Sequence, residues 1–177
     1  MKKIVLGLVF ALINFNITLD NVIINLIPSF IGYYFIMNAC VQLAHKTSND
    51  HFLETRKYAL LLFVITLFTF VLDLIGLSAI NPFFSIAVGI LNLVLSLIFL
   101  KHLTQSITQT TQFNLSDKWI QQLNSLFKWI AILSVLSYVL MIAPIFALVV
   151  VIILIVFNVR YILMVHTLNQ SLDLEYL

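Results

Sequence analysis

Long hydrocarbon-like runs set the terms on which this chain can fold. Tyr58 to Leu77 contains one charged residue, Asp73, and Ile145 to Phe157 contains none. Charged residues make up 9% of the sequence and hydrophobic ones 62%, whereas an ordinary soluble domain is about a quarter charged. Such runs cannot form a water-facing surface, so the bilayer is their solvent. A spanning helix needs about 20 predominantly apolar residues. Turn signals divide the chain into spans near 4–17, 27–44, 58–78, 82–100, 127–143 and 145–166. The expected fold is an all-α membrane protein, a six-helix transmembrane bundle forming one integral domain.

Basic residues set the expected orientation. With a cytoplasmic N-terminus, Lys2, Lys3, Lys46, Arg56, Lys57, Lys101, Lys118, Lys128 and Arg160 all fall at or near the cytoplasmic face, in keeping with the positive-inside bias. Six spans return the C-terminus, with Asp173 and Glu175, to the same side. The expectation is a multipass plasma-membrane protein with both termini cytoplasmic. Topology then accounts for the net charge of +2, and no nucleic acid partner is implied. Lys2-Lys3 before an apolar run resembles a signal peptide, but the run continues into Asn14-Phe15-Asn16 without a small-residue cleavage site, so the segment is read as retained. Cys40, the single cysteine, reads as a small core residue.

After Phe10 the pattern changes. Ile13, Asn14, Phe15, Asn16, Ile17, Thr18, Leu19 and Asp20 alternate with a period of two, and Asp20-Asn21 is followed by Val22-Ile23-Ile24-Asn25 before Pro28. Alternation around a turn pair is the signal of a β-hairpin, here over 13–27. The first helix would then be short and the hairpin would complete the crossing in the outer leaflet. Open strand edges are not tolerated against lipid, so the hairpin would be enclosed by helices, with Asn14, Asn16, Thr18 and Asp20 facing a hydrated cavity. The alternative is an ordinary tilted helix through residue 24.

The strings Leu6-Gly7-Leu8 through Ile13-Asn14-Phe15-Asn16-Ile17, and Ile27-Pro28-Ser29-Phe30-Ile31-Gly32-Tyr33, resemble the N-terminal signature of small uncharacterised multipass membrane proteins of low-GC Gram-positive bacteria. The likeness covers roughly the first 45 residues. It implies a bacterial plasma membrane and supplies no activity. An acidic residue commonly follows the proline in that pattern, and this chain has Ser29 there.

Two connections face the cytoplasm in this topology. His45 to Lys57 is short and polar, with Ser48, Asn49 and Asp50 as helix caps. Lys101 to Lys128 opens on a Thr/Gln-rich stretch and becomes amphipathic after Ser116. The sequence predicts an elbow over 116–126 lying along the inner membrane surface, with Trp119 and Trp129 in the interfacial aromatic belt. Trp119, Leu123 and Phe127 are the residues through which such an elbow would dock a cytoplasmic partner.

Few polar residues remain to carry chemistry. Asp73 lies within a span, where a carboxylate is by default a functional candidate, and folding about Asn81 brings it near Asn92. Asp20 also belongs to the outer half, so Asp20, Asp73, Asn92, Asn14 and Asn16 are the candidate ligand-binding set of an acidic, outward-facing cavity. All four histidines, His45, His51, His102 and His166, fall at cytoplasmic ends. No short ligand pair shares a helix face, so no metal site and no cofactor is expected. No nucleophile meets a base at one depth, so no catalytic residue is assigned. The leading expectation is a non-enzymatic membrane protein that binds a small cation or polar solute, as a transport subunit would. The alternative is an immunity or accessory subunit gripping a larger membrane partner. The first predicts that Asp20, Asp73 and Asn92 carry function, the second that Trp119, Leu123 and Phe127 do.

Overall fold

The computed structural model describes residues 2–13, 16–19, 22–25, 28–75, 82–110, 115–140 and 143–174; of 16–19, 22–25, 82, 84, 144 and 169–174 only the backbone is described. Six helices appear among them: α1 (Lys2–Leu12), α2 (Ser29–Thr47), α3 (His51–Leu74), α4 (Pro82–Thr108), α5 (Asp117–Val139) and α6 (Pro144–Leu174). Four of these are long and apolar enough to cross a bilayer, over His51–Leu74, Ser85–Thr108, Asp117–Val139 and Ile145–Leu168. Their outer faces carry exposed large apolar side chains, from Phe68 on α3 to Ile90 on α4, Ile132 on α5 and Ile152 on α6, the surface a hydrocarbon solvent accepts.

The first two predicted spans differ from this. α1 has 11 residues, which at about 1.5 Å per residue covers roughly half of a hydrocarbon core about 30 Å thick. α2 includes Asn38, Gln42, His45 and Lys46, and nine of its 19 residues are buried. Its packing is against protein more than toward the outside. Between α1 and α2 the backbone forms two strands, β1 (Asn16–Leu19) and β2 (Val22–Asn25), paired antiparallel with Asn16 opposite Asn25 and Leu19 opposite Val22. β2 also meets α3.

α1 and α2 cross backbone against backbone. A Cβ added to Gly32 would lie 2.5 Å from the Gly7 carbonyl oxygen and 2.6 Å from the Ala11 nitrogen. Small residues at such crossings let helices approach within van der Waals range where lipid offers no hydrophobic drive. Ile4, Leu8, Ala11, Tyr33, Ile36 and Cys40 are buried around the crossing, within a core cluster that extends to Phe52, Leu103 and Tyr161. Because Cys40 is fully buried, an aqueous maleimide should leave it unlabelled in mild detergent and label it stoichiometrically in hot SDS. Labelling of the folded protein would contradict this packing.

Helix ends follow their residues. α2 stops where Ser48 adopts a left-handed φ of 50°. The Asn49 amide oxygen accepts from the His51 N–H at 3.0 Å, satisfying a donor in the first turn of α3. The Asn49 amide nitrogen donates to the Ser106 carbonyl at 3.1 Å and to Thr110 Oγ1 at 2.9 Å. One side chain thus caps a helix and pins the α2–α3 connection to the end of α4.

α4 runs on through the Thr/Gln-rich stretch that the sequence placed in a connection. The hydroxyls of Thr104, Ser106 and Thr110 donate to carbonyls one turn earlier, at 2.8, 2.8 and 2.6 Å, so residues that favour loops in water are satisfied within the helix. The same helix hydrogen-bonds to four others. Ser96 meets Tyr33 of α2, Ser106 meets Thr55 of α3, and Thr104 meets Tyr161 of α6. The Gly89 carbonyl accepts from Tyr138 of α5 at 3.0 Å.

The segment predicted as an elbow over 116–126 belongs to one continuous helix. Ser116 caps α5 by accepting from the Trp119 N–H, and the helix continues without a break to Val139. Residues 117–126 are its first turns, and 23 residues at about 1.5 Å each make a rod of about 35 Å, long enough to cross a bilayer.

Candidate functional site

α5 and α6 run antiparallel, and the rings of Trp129 and Phe157 lie 6.1 Å apart. From that contact the register follows residue by residue: Leu126 lies level with Arg160, Gln122 with Met164, and Trp119 with Thr167. Both stripes have the spacing i, i+3, i+7, i+10, which keeps four side chains on one helix face over nearly three turns. Together with Ser125 and Leu163 they line a groove of about 530 Å³. Its far end is aromatic. Toward the Trp119 end it becomes polar, with Arg160, Ser125, Gln122 and Thr167.

Arg160 is exposed in this groove. No carboxylate lines the groove, and among the described residues no ion pair is formed by Arg160. It lies 16 residues beyond Pro144, about 24 Å along the helix. An unpaired guanidinium on a helix this apolar is costly if the helix spans a bilayer, and points to an anionic partner or to snorkelling.

The predicted docking residues divide between groove and core. Trp119 lines the groove. Leu123 is 0% exposed and cannot meet a partner arriving from outside. Phe127 is partly buried against the core cluster. The stripe 119, 123, 127 is therefore not one free face of α5: its first residue lines the groove and the next two pack toward the core.

The predicted outer site is not assembled among the described residues. Asn14 and Asp20 lie outside them, and of Asn16 only the backbone is described. Asp73 sits half-buried in the last turn of α3. No hydrogen bond joins it to Asn92, whose amide oxygen is buried without a partner. The Asn158 oxygen shares that condition, on a residue 7% exposed. Asn92 stands one turn before Ser96 on α4, and Asn158 one turn before Tyr161 on α6. Each unpaired acceptor therefore lies one turn from a hydroxyl that has a partner.

At the polar end, Glu54 brings two histidines together. Its Oε2 lies 3.8 Å from Nδ1 of His51 and 3.8 Å from Nδ1 of His102. His102 stacks on Tyr58 with ring centroids 4.6 Å apart. Both carboxylate distances exceed a hydrogen bond, and no group of three His, Cys, Asp or Glu suited to a metal occurs among the described residues.

Comparison with protein-family models, with curated proteins and with solved structures finds no match. Functional inference therefore rests on this geometry. The sequence alone does not show the groove, because Arg160 enters there only as one of the basic residues that set the orientation. The signal was present in the identical spacing of Trp119, Gln122, Leu126 and Trp129 against Phe157, Arg160, Met164 and Thr167, which only the α5–α6 pairing turns into one surface.

Proposed function

We propose that the chain is a non-enzymatic membrane protein that holds a small cation or polar solute against unpaired oxygens inside its helical bundle. The observation that carries this reading is the pair of buried, partnerless acceptors, Asn92 Oδ1 and Asn158 Oδ1. Buried polar groups in native proteins are almost always hydrogen-bonded, and leaving one unmade costs about 1–3 kcal/mol. On the same two helices the hydroxyls of Ser96, Thr104, Ser106 and Tyr161 all find partners. Amide oxygens accept from ammonium donors and ligate hard cations, so a positively charged or donor-rich ligand would satisfy them.

This moves the binding site from the outer pocket to the middle of the bundle. The accessory-subunit reading is weakened because Leu123 is sealed in the core.

The test is thermal denaturation of the purified protein in mild detergent at constant ionic strength, with sodium, potassium or ammonium chloride replacing choline chloride. One of the small cations should raise the midpoint saturably; at 100 times its Kd the expected stabilisation is about 2.7 kcal/mol. Asn92→Leu or Asn158→Leu should remove that response. If all four salts give one midpoint in the wild-type protein, the oxygens receive no cation and the reading fails.

A further inference from the structure

We propose that the α5–α6 groove is a binding site for an anionic phospholipid, with the headgroup phosphate held by Arg160. This inference is independent of the interior site. The groove changes character in the order that a lipid does. Trp129 and Phe157 form its apolar end, where acyl chains directed toward the bilayer centre would lie. Arg160 follows about 5 Å further along α6, at the level of Leu126 and Ser125. Gln122, Thr167 and Trp119 then supply hydrogen-bonding side chains where glycerol and headgroup oxygens would emerge toward water. From Phe157 to Thr167 the site is about 15 Å long, and its volume of about 530 Å³ leaves room for a phosphoglycerol group and the first methylenes of a chain.

Charge decides between lipid classes. Arg160 is the one charged residue lining the groove, and no ion pair neutralises it among the described residues. A planar guanidinium matches two phosphate oxygens at once. A zwitterionic lipid would bring a cationic amine to the same end, where no carboxylate receives it. Basic pockets between helices near one membrane face are recognised sites for anionic headgroups. The leaflet concerned is the one nearer the Trp119 end, which the positive-inside expectation assigns to the cytoplasm.

Both tryptophans of the chain, Trp119 and Trp129, line the groove, so their fluorescence reports its occupant. The experiment reconstitutes the full chain in phosphatidylcholine vesicles and compares quenching by brominated phosphatidylglycerol and brominated phosphatidylcholine at equal mole fraction. A single basic contact near the membrane surface corresponds to about a five-fold preference for the anionic lipid. Arg160→Gln should reduce that preference to about one, and Arg160→Lys should keep most of it. Lys128→Gln removes an exposed charge outside the groove and should leave it intact. Equal quenching by the two lipids in the wild-type protein, or a preference that survives Arg160→Gln, would overturn the proposal. Native mass spectrometry of the wild-type protein is a second measurement that needs no variant. Phosphatidylglycerol should stay bound at collision energies that strip phosphatidylcholine, and equal retention would also overturn it.

Discussion

Gly32→Ala is expected to destabilise the folded protein by about 1–3 kcal/mol, the usual range for forcing extra volume into a packed interface, and Gly32→Leu to prevent the α1–α2 pair from assembling. All three nearest atoms to a Cβ at Gly32 are backbone, the Gly7 oxygen at 2.5 Å, the Ala11 nitrogen at 2.6 Å and the Phe10 carbonyl carbon at 3.0 Å. Backbone cannot rotate away, so the helices must separate. At Gly7 the nearest atom is Cγ1 of Ile36, 2.5 Å away, with the Gly32 oxygen at 2.7 Å. The Ile36 side chain can yield in part, so Gly7→Ala should cost less than Gly32→Ala. Separation matters beyond the crossing because Ile4, Leu8 and Ala11 of α1 belong to the same buried cluster as Tyr161 of α6. The readout is Cys40 labelling along an SDS titration, where the midpoint should fall in the order wild type, Gly7→Ala, Gly32→Ala. A Gly32→Ala protein that labels like wild type would show that the helices are not in backbone contact.

Six helices were legible in the sequence, but of the six predicted spans only four are helices long and apolar enough to cross a bilayer. Helix ends were less legible, for a physical reason. Thr104, Ser106, Thr108 and Thr110 read as a polar connection, yet each hydroxyl bonds a carbonyl within α4. The helix therefore continues where composition says it should stop. Trp119, Leu123 and Phe127 were rightly seen to be helical, but a stripe does not say which way it faces. Leu123 faces the core because it packs into the buried cluster shared by the other helices. Pairings across helices were least legible. The contacts of Thr104 with Tyr161 and Thr55 with Ser106 span 57 and 51 residues, and nothing local marks either partner. Separation in sequence also hid the groove, whose two walls, each a mixed polar and apolar stripe, form one surface only where α5 and α6 meet.

Tyr161→Ala should be the most damaging single change in α6, at about 3–5 kcal/mol by analogy with other buried aromatic truncations, while Tyr161→Phe should cost only about 0.6 kcal/mol, the average for a hydrogen bond between membrane helices. Tyr161 is fully buried, and its hydroxyl lies 2.9 Å from Thr104 Oγ1. Thr104 already gives its one hydroxyl hydrogen to the Leu100 carbonyl at 2.8 Å, so Tyr161 donates. The phenylalanine variant thus leaves no buried donor unpaired, whereas the alanine variant leaves a ring-sized void between α4 and α6. Position along the helix makes this a functional prediction as well. Asn158, Tyr161, Val165 and Leu168 face the core, and Phe157, Arg160, Met164 and Thr167, one residue earlier in each case, face the groove. One residue is a rotation of about 100°, so the packing that seats Tyr161 also aims Arg160. Tyr161→Phe should keep the anionic-lipid preference and Tyr161→Ala should lose it together with stability. If the phenylalanine variant melted as low as the alanine variant, the hydrogen bond rather than the ring would be what fixes α6 against α4.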